Sequence, residues 1–237
     1  MVYIILCGGD EAGRGAILGP LVISIVAVKS TSLHRLSEIG VRDSKILSDK
    51  RRRQLYSEIE KIASDIKIYK IYPNEINEAM RNHISLNELE AVRFAGLFDT
   101  IESDIHSVYL DSPDVIAERF GTRFKLSSSK PTKVIGIKAQ SKDKEKGIRY
   151  TKIIAEHKAD AKYAVVSAAS IIAKVTRDNE IIKLEKELKM RVGSGYPSDY
   201  KTIDVIQRNL KTGILKNSIR EKWSTMDRIK QTRLVNF

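Results

Sequence analysis

The 237-residue chain has one cysteine, one tryptophan and five prolines. A lone Cys7 cannot close an internal disulfide or build a zinc site from paired thiolates. It fits a reducing compartment, so a cytoplasmic location is expected. Long apolar runs are also missing. None approaches the ~20 residues that cross a bilayer, so no membrane span is expected. The apolar N-terminal stretch is broken by Asp10, Glu11 and Arg14, which argues against a cleaved leader. There is no internal repeat, and the nearest approach to low complexity is Ser127-Ser128-Ser129-Lys130-Pro131. Acidic side chains are outnumbered, 30 against 42 Lys and Arg, leaving a net charge of +12. That excess favours a polyanionic partner, nucleic acid or an anionic membrane surface. Hydrophobic residues make up 42% of the chain, enough for a folded core.

The most informative stretch is Gly9-Asp10-Glu11-Ala12-Gly13-Arg14-Gly15. It follows the apolar run Val2 to Cys7 and precedes another, Leu21 to Val28, so two adjacent carboxylates stand where a strand ends. Neighbouring residues on a strand point to opposite faces, and only an ending or bulged strand lets Asp10 and Glu11 share an ion. Gly13 and Gly15 leave backbone N–H groups open to a phosphate or hydroxyl.

Further strands are expected at Ile66 to Tyr72, His106 to Asp111 and Thr151 to Glu156. Ser48 and Asp49 offer an N-cap for a helix over Lys50 to Ser64. Pro73 opens another helical stretch. Ser85 caps a helix to about Ile101, whose apolar stripe is interrupted by Glu90 and Arg93 and is therefore expected to be partly buried. Residues 126–149 read as a lysine-rich loop or exposed hairpin. Tyr163 to Met190 is the longest helix, with a small apolar first half that packs closely and a charged second half expected to be exposed. Gly193-Ser194-Gly195 breaks it. This divides the chain into a core, 1–192, and a helical segment, 193–237, whose basic residues include Lys211, Lys216, Arg220, Lys222, Arg228, Lys230 and Arg233.

Asp10 and Glu11, Asp111 and, less cleanly, Asp160 end apolar strands. Hard oxygen ligands suit Mg²⁺ or Mn²⁺, and two such ions support phosphodiester cleavage. From spacing alone they are more readily read as unrelated surface acids, since acids at strand ends are common. His157 is either a general base or a solvated or hydrogen-bonded histidine beside Lys158. Tyr196 either stacks on a sugar or base or packs in a Tyr-Pro turn. Lys158, Ser170 and Lys174 either meet phosphates or cap and solvate a helix. Trp223 reads as core.

Taken in order, several segments resemble the type 2 ribonuclease H family, specifically ribonuclease HII of the archaeal kind. They are Gly9 to Gly15, Asp43-Ser44-Lys45, Leu110-Asp111-Ser112, Ala155 to Asp160, Ser167 to Val175 and Gly193 to Asp199. The resemblance implies an α/β fold, a ribonuclease H-like mixed β-sheet flanked by helices, with a C-terminal helical segment. It implies a monomeric, divalent-metal-dependent endonuclease that cuts RNA in RNA–DNA hybrids and on the 5′ side of a lone ribonucleotide in duplex DNA, leaving 3′-hydroxyl and 5′-phosphate ends. The family's metal carboxylates fall on Asp10, Glu11, Asp111 and Asp160. Its 2′-hydroxyl-sensing turn falls on Gly13, Arg14 and Gly15, its junction-sensing tyrosine on Tyr196, and further substrate contacts on Ser44, Lys45, Lys158 and Ser170. Gly9 stands where the family usually has an aliphatic residue, which is expected to loosen the strand end. The rivals are another nuclease of the same fold, disfavoured by the Gly-Arg-Gly turn with Tyr196, and a non-catalytic nucleic-acid-binding module, disfavoured by four carboxylates that would weaken phosphate binding.

The chain ends Gln231-Thr232-Arg233-Leu234-Val235-Asn236-Phe237. The spacing of Gln231, Leu234 and Phe237 resembles the terminal peptide by which replication and repair proteins dock on a sliding clamp, without its usual second aromatic. The alternative is a tail folded back on the enzyme's own helices.

Overall fold

The computed structural model describes residues 3–41, 47–136 and 150–234. In chain order they form β1 (Ile5–Ala12), β2 (Leu21–Lys29), α1 (Leu33–Glu38), α2 (Asp49–Ile62), β3 (Asp65–Ile71), α3 (Pro73–Arg81), α4 (Leu86–Asp99), β4 (Ile105–Asp111), α5 (Ala117–Ser127), β5 (Thr132–Val134), β6 (Thr151–Glu156), α6 (Ala159–Lys162), α7 (Ala164–Leu188), α8 (Tyr200–Asn209) and α9 (Ser224–Leu234). The strands make one sheet in the order β3-β2-β1-β4-β6-β5. The β1–β4, β4–β6 and β5–β6 pairs are parallel.

Local chemistry accounts for most boundaries. The Ser48 hydroxyl accepts from the Arg51 N–H and caps α2. Pro73 takes the first turn of α3, where its missing N–H is harmless. Adjacent Gly8 and Gly9 on β1 face opposite sides of the sheet, and both sides are crowded. A Cβ on Gly8 would lie 2.3 Å from the Val165 carbonyl carbon of α7. One on Gly9 would lie 2.7 Å from Leu110 and 3.1 Å from Phe94 of α4. Gly9 therefore does not loosen the strand end, because neighbouring side chains occupy the space an aliphatic residue would fill. The same contacts set α7 on one face of β1 and α4 on the other.

Several expectations need correction. Residues 113–126 carry a helix, α5, that the sequence reading did not assign. Phe120 and Phe124, one turn apart, meet Phe94 and Phe98 of α4 edge-on, with ring centroids 6.0 and 5.3 Å apart. Glu90, expected to interrupt the stripe of α4, is itself buried, while the stripe is partly buried as expected, with Leu86, Arg93 and Leu97 half-buried. The 126–149 stretch is no hairpin where it is described. It begins as the end of α5 and continues as β5, parallel to β6, and 137–149 lie outside the described residues. The second half of α7 is not simply exposed, since Arg177 and Ile181 are buried.

The chain forms two compact units. One comprises 1–11, 23–69 and 87–175, with an apolar core where Val26, Val28, Leu55 and Ile59 meet Val166, Ile171 and Ile172 of α7. The other comprises 12–22, 70–86 and 176–237, and its core joins Ile17 and Leu18 to Ile181, Val192, Ile206, Leu215 and Met226.

Candidate active site

In the first unit, Asp10 and Asp111 directly follow the paired residues Gly9 and Leu110 on neighbouring parallel strands. This end of a parallel sheet is where open α/β folds bind ligands. Asp10 is buried, 5% exposed. Burial first, then the charges of Glu11 and Asp111, push its carboxyl well above the usual carboxylate range. Hydrogen bonds from the Ser170 hydroxyl and the Glu11 N–H, the latter 2.7 Å, pull it partly back. Ser170, expected among the substrate contacts, is thus turned onto Asp10.

Asp160 does not end a strand. β6 stops at Glu156, Lys158 adopts the left-handed conformation at φ 55°, and the chain turns at once into α6, which carries Asp160 in its first turn. This turn is tied to the end of β4. Asp111 Oδ1 accepts from the Ala159 N–H at 2.7 Å, and His157 Nε2 lies 2.7 Å from the Asp114 carbonyl oxygen. His157 therefore braces two loops. Lys158 is exposed and Lys174 half-buried.

Among the described residues, no three Asp, Glu, His or Cys side chains converge into a ready-made metal cage. The acids instead rest on backbone amides: Asp10 on Glu11, Asp111 on Ala159, and Asp160 on Ala161 at 3.0 Å. Coulombic coupling among Asp10, Glu11 and Asp111 reaches further than coordination distance, so the two findings agree. The donor set fits a hard divalent cation. It is all oxygen, and its crowded negative charge is what such an ion relieves.

The second unit carries Gly13-Arg14-Gly15 and Tyr196. Gly13 has φ +87°, and a Cβ there would lie 2.8 Å from the Pro20 carbonyl oxygen, so glycine is required. Arg14 is half-buried and Gly15 exposed. The Gly193–Asp199 loop is braced by Thr202, whose hydroxyl accepts from Gly195 N at 2.9 Å and donates to Val192 O at 2.8 Å. Asp199 accepts from Ser194 N at 2.6 Å, and this bond holds its carboxyl below the usual range. The half-buried Tyr196 ring has the Arg177 guanidinium 4.6 Å from its centroid.

Residues 7–226 match the sequence profile of the ribonuclease HII family. The chain belongs to the ribonuclease HII family. Ribonuclease HII of Pyrococcus horikoshii is 39% identical over 228 residues, covering 95% of this chain and 93% of its own. The crystal structure of the ribonuclease H2 from that organism superposes with a TM-score of 0.79 at 37% identity, over 97% of this chain and 98% of the other. The ribonuclease HII of Archaeoglobus fulgidus, solved as a complex with PCNA, superposes at 0.76 with 35% identity, over 93% and 96% of the two chains. The architecture is accordingly ribonuclease H-like, and the protein is a metal-dependent endoribonuclease acting on RNA in RNA–DNA hybrids and on ribonucleotides in duplex DNA.

Against that family, Ser44, Lys45 and Phe237 lie outside the described residues. Gln231 is exposed on α9, which extends through Leu234. Arg177, which the sequence did not single out, and Arg220, read there only as one of many basic residues, are both buried against the Gly13–Gly19 and Gly193–Asp199 loops. Neither carries a local signal, since each sits in a stretch rich in charge. Trp223 packs on the core of the second unit, as expected. Among the described residues no helix is long and apolar enough to cross a membrane.

Proposed function

We propose that Asp10, Glu11, Asp111 and Asp160 hold Mg²⁺ or Mn²⁺, and that this ribonuclease HII cuts on the 5′ side of a ribonucleotide. The reading is carried by one observation: Asp10 is buried beside Glu11 and Asp111 at the ends of neighbouring parallel strands. A bound divalent cation supplies Lewis acidity at the scissile phosphate and activates water. The protein's own part is orientation. Ser170 and the Glu11 N–H hold Asp10, and the Ala159 N–H holds Asp111. In the hydrolysis, water oxygen bonds to phosphorus and the P–O3′ bond breaks, so the upstream strand keeps a 3′-hydroxyl and the ribonucleotide a 5′-phosphate. Gly13, Arg14 and Gly15 read the 2′-hydroxyl, Tyr196 stacks at the sugar junction, and Ser44, Lys45 and Lys158 meet phosphates. The 193–237 segment serves substrate binding. The test is cleavage of a duplex with one embedded ribonucleotide. Single incision on its 5′ side, abolished by EDTA and restored by Mg²⁺ or Mn²⁺, is expected; incision elsewhere, or activity in EDTA, refutes it.

The enzyme acts as a cytoplasmic monomer and docks on a sliding clamp through Gln231, Leu234 and Phe237. Support comes from the spacing of these residues and from the PCNA complex of the Archaeoglobus relative. Deleting 231–237 is expected to abolish clamp binding with no change in melting temperature. A large drop in melting temperature would instead assign the tail to internal packing.

A further inference from the structure

Two arginines in the second unit are the largest fully buried side chains of the described structure. Arg177 on α7 is 1% exposed, and Arg220, between Ile219 and α9, is 0% exposed. A buried guanidinium costs stability unless its donors are met. Here Arg177 Nη1 pairs with the Asp178 carboxylate at 3.4 Å, and the other met donors are directed at the backbone of the loops that carry Gly13–Gly15 and Tyr196. Arg220 Nη1 donates to the Arg14 carbonyl at 2.8 Å, and its Nε and Nη2 donate to the Gly19 carbonyl at 3.2 and 3.1 Å. Arg177 Nη2 donates to the Ser194 carbonyl, its guanidinium faces the Tyr196 ring, and its Cγ would lie 3.2 Å from a Cβ on Gly13. Its buried Nε has no hydrogen-bond partner among the described residues, so the fold keeps this side chain in place at a cost.

The two loops are also joined to each other. The N–H groups of Ile17 and Leu18 both donate to the Gly195 carbonyl, at 2.9 and 3.1 Å. Arg220 is aimed in turn by Asn77 of α3, which is buried. Asn77 donates to the Ile219 carbonyl at 2.9 Å and accepts from the Glu221 N–H at 2.8 Å, gripping the chain on either side of Arg220. The ring of Trp223, the chain's one tryptophan, lies 5.1 Å from the Arg220 guanidinium carbon.

We infer that Arg177 and Arg220 are positioning residues for substrate discrimination, locking the 13–19 and 193–199 loops into one preformed reader of the ribonucleotide. The inference rests on the assignment of reading to Gly13–Gly15 and Tyr196. A planar guanidinium fixes the direction of several donors at once, which a lysine ammonium does not. Loops held in advance do not have to be ordered when substrate arrives.

The test compares kcat/KM on a single embedded ribonucleotide with that on a long hybrid, for Arg220→Lys, Arg177→Lys and Asn77→Ser. Melting curves and Trp223 fluorescence are recorded alongside. Both lysine variants are expected to lose about tenfold more on the single ribonucleotide than on the hybrid, with the Mg²⁺ midpoint unchanged. Arg220→Lys should also alter Trp223 emission as the cation leaves the ring. Asn77→Ser, which removes no buried charge, should shift the substrate ratio in the same direction by less. Should the lysine variants fail to fold, Asn77→Ser decides. An unchanged substrate ratio in the folded variants overturns the inference. Tyr196→Ala and Arg14→Ala are run in parallel. If they too leave the ratio unchanged, the assignment of reading has failed; if they change it while the positioning variants do not, the inference alone has failed.

Discussion

In the unit that carries the carboxylates, Asp10 is buried and the charges that act on it, Glu11 and Asp111, are negative as well. In the unit that carries Gly13–Gly15 and Tyr196, the buried charge is positive and meets carbonyl oxygens of Arg14, Gly19 and Ser194. Burial, and then Arg177, push the Arg220 guanidinium below its usual range, yet its hydrogen bonds to backbone oxygens favour the charged form. The first arrangement becomes favourable once a cation arrives; in the second, most guanidinium donors already meet the protein's own oxygens. On the proposed assignments, chemistry would respond to the metal in one unit and recognition to loop order in the other.

The largest effect should come from Asp111→Asn. Removing this charge takes away a cation ligand and relieves the repulsion on Asp10, so kcat is expected to fall on the order of 10³-fold. Hybrid binding in EDTA should be unchanged or slightly tighter. Near-normal turnover in Mg²⁺ would break the division, because the first unit would then need no counter-charge. Next comes Gly13→Ala in the second unit. Its positive φ and the Pro20 carbonyl 2.8 Å from the new methyl should cost about 1–3 kcal/mol of stability. Activity on a single ribonucleotide should suffer more than activity on a long hybrid, at an unchanged Mg²⁺ midpoint. A shifted midpoint would show that loop rigidity and metal binding are not separate. The smallest effect concerns Cys7, fully buried in β1, whose thiol burial pushes up to about 12. Ellman's reagent at pH 8 should leave the native thiol untouched and titrate it fully in denaturant. Rapid reaction of the native protein would mean that water reaches the interior of the sheet at β1.

What was legible in the sequence had a local cause. The Ser48 cap, Pro73, the strand at Thr151–Glu156 and the acids following apolar runs all rest on neighbouring residues. What was not legible depends on residues far apart in the chain. α5 is stabilised by phenylalanines paired with those of α4, and the pairing is visible only once both helices exist. Asp160 sits on a helix because Lys158 takes a left-handed conformation, which lysine does not advertise as glycine or asparagine would. Arg177 and Arg220 look like surface charge in the sequence. Their burial depends on carbonyl oxygens as many as 206 residues away.

The threading of the second unit also sets when it can exist. Its core needs Ile17 and Leu18 together with Leu215 and Met226. A ribosome adding about 5–20 residues per second leaves the early pair waiting on the order of 10–40 s for the late one. The last segment of the acid-bearing unit ends at Val175, so its sequence is complete well before the other's. During synthesis the nascent chain thus holds the whole sequence of the unit that carries Asp10, Glu11, Asp111 and Asp160 before the second unit can close its core.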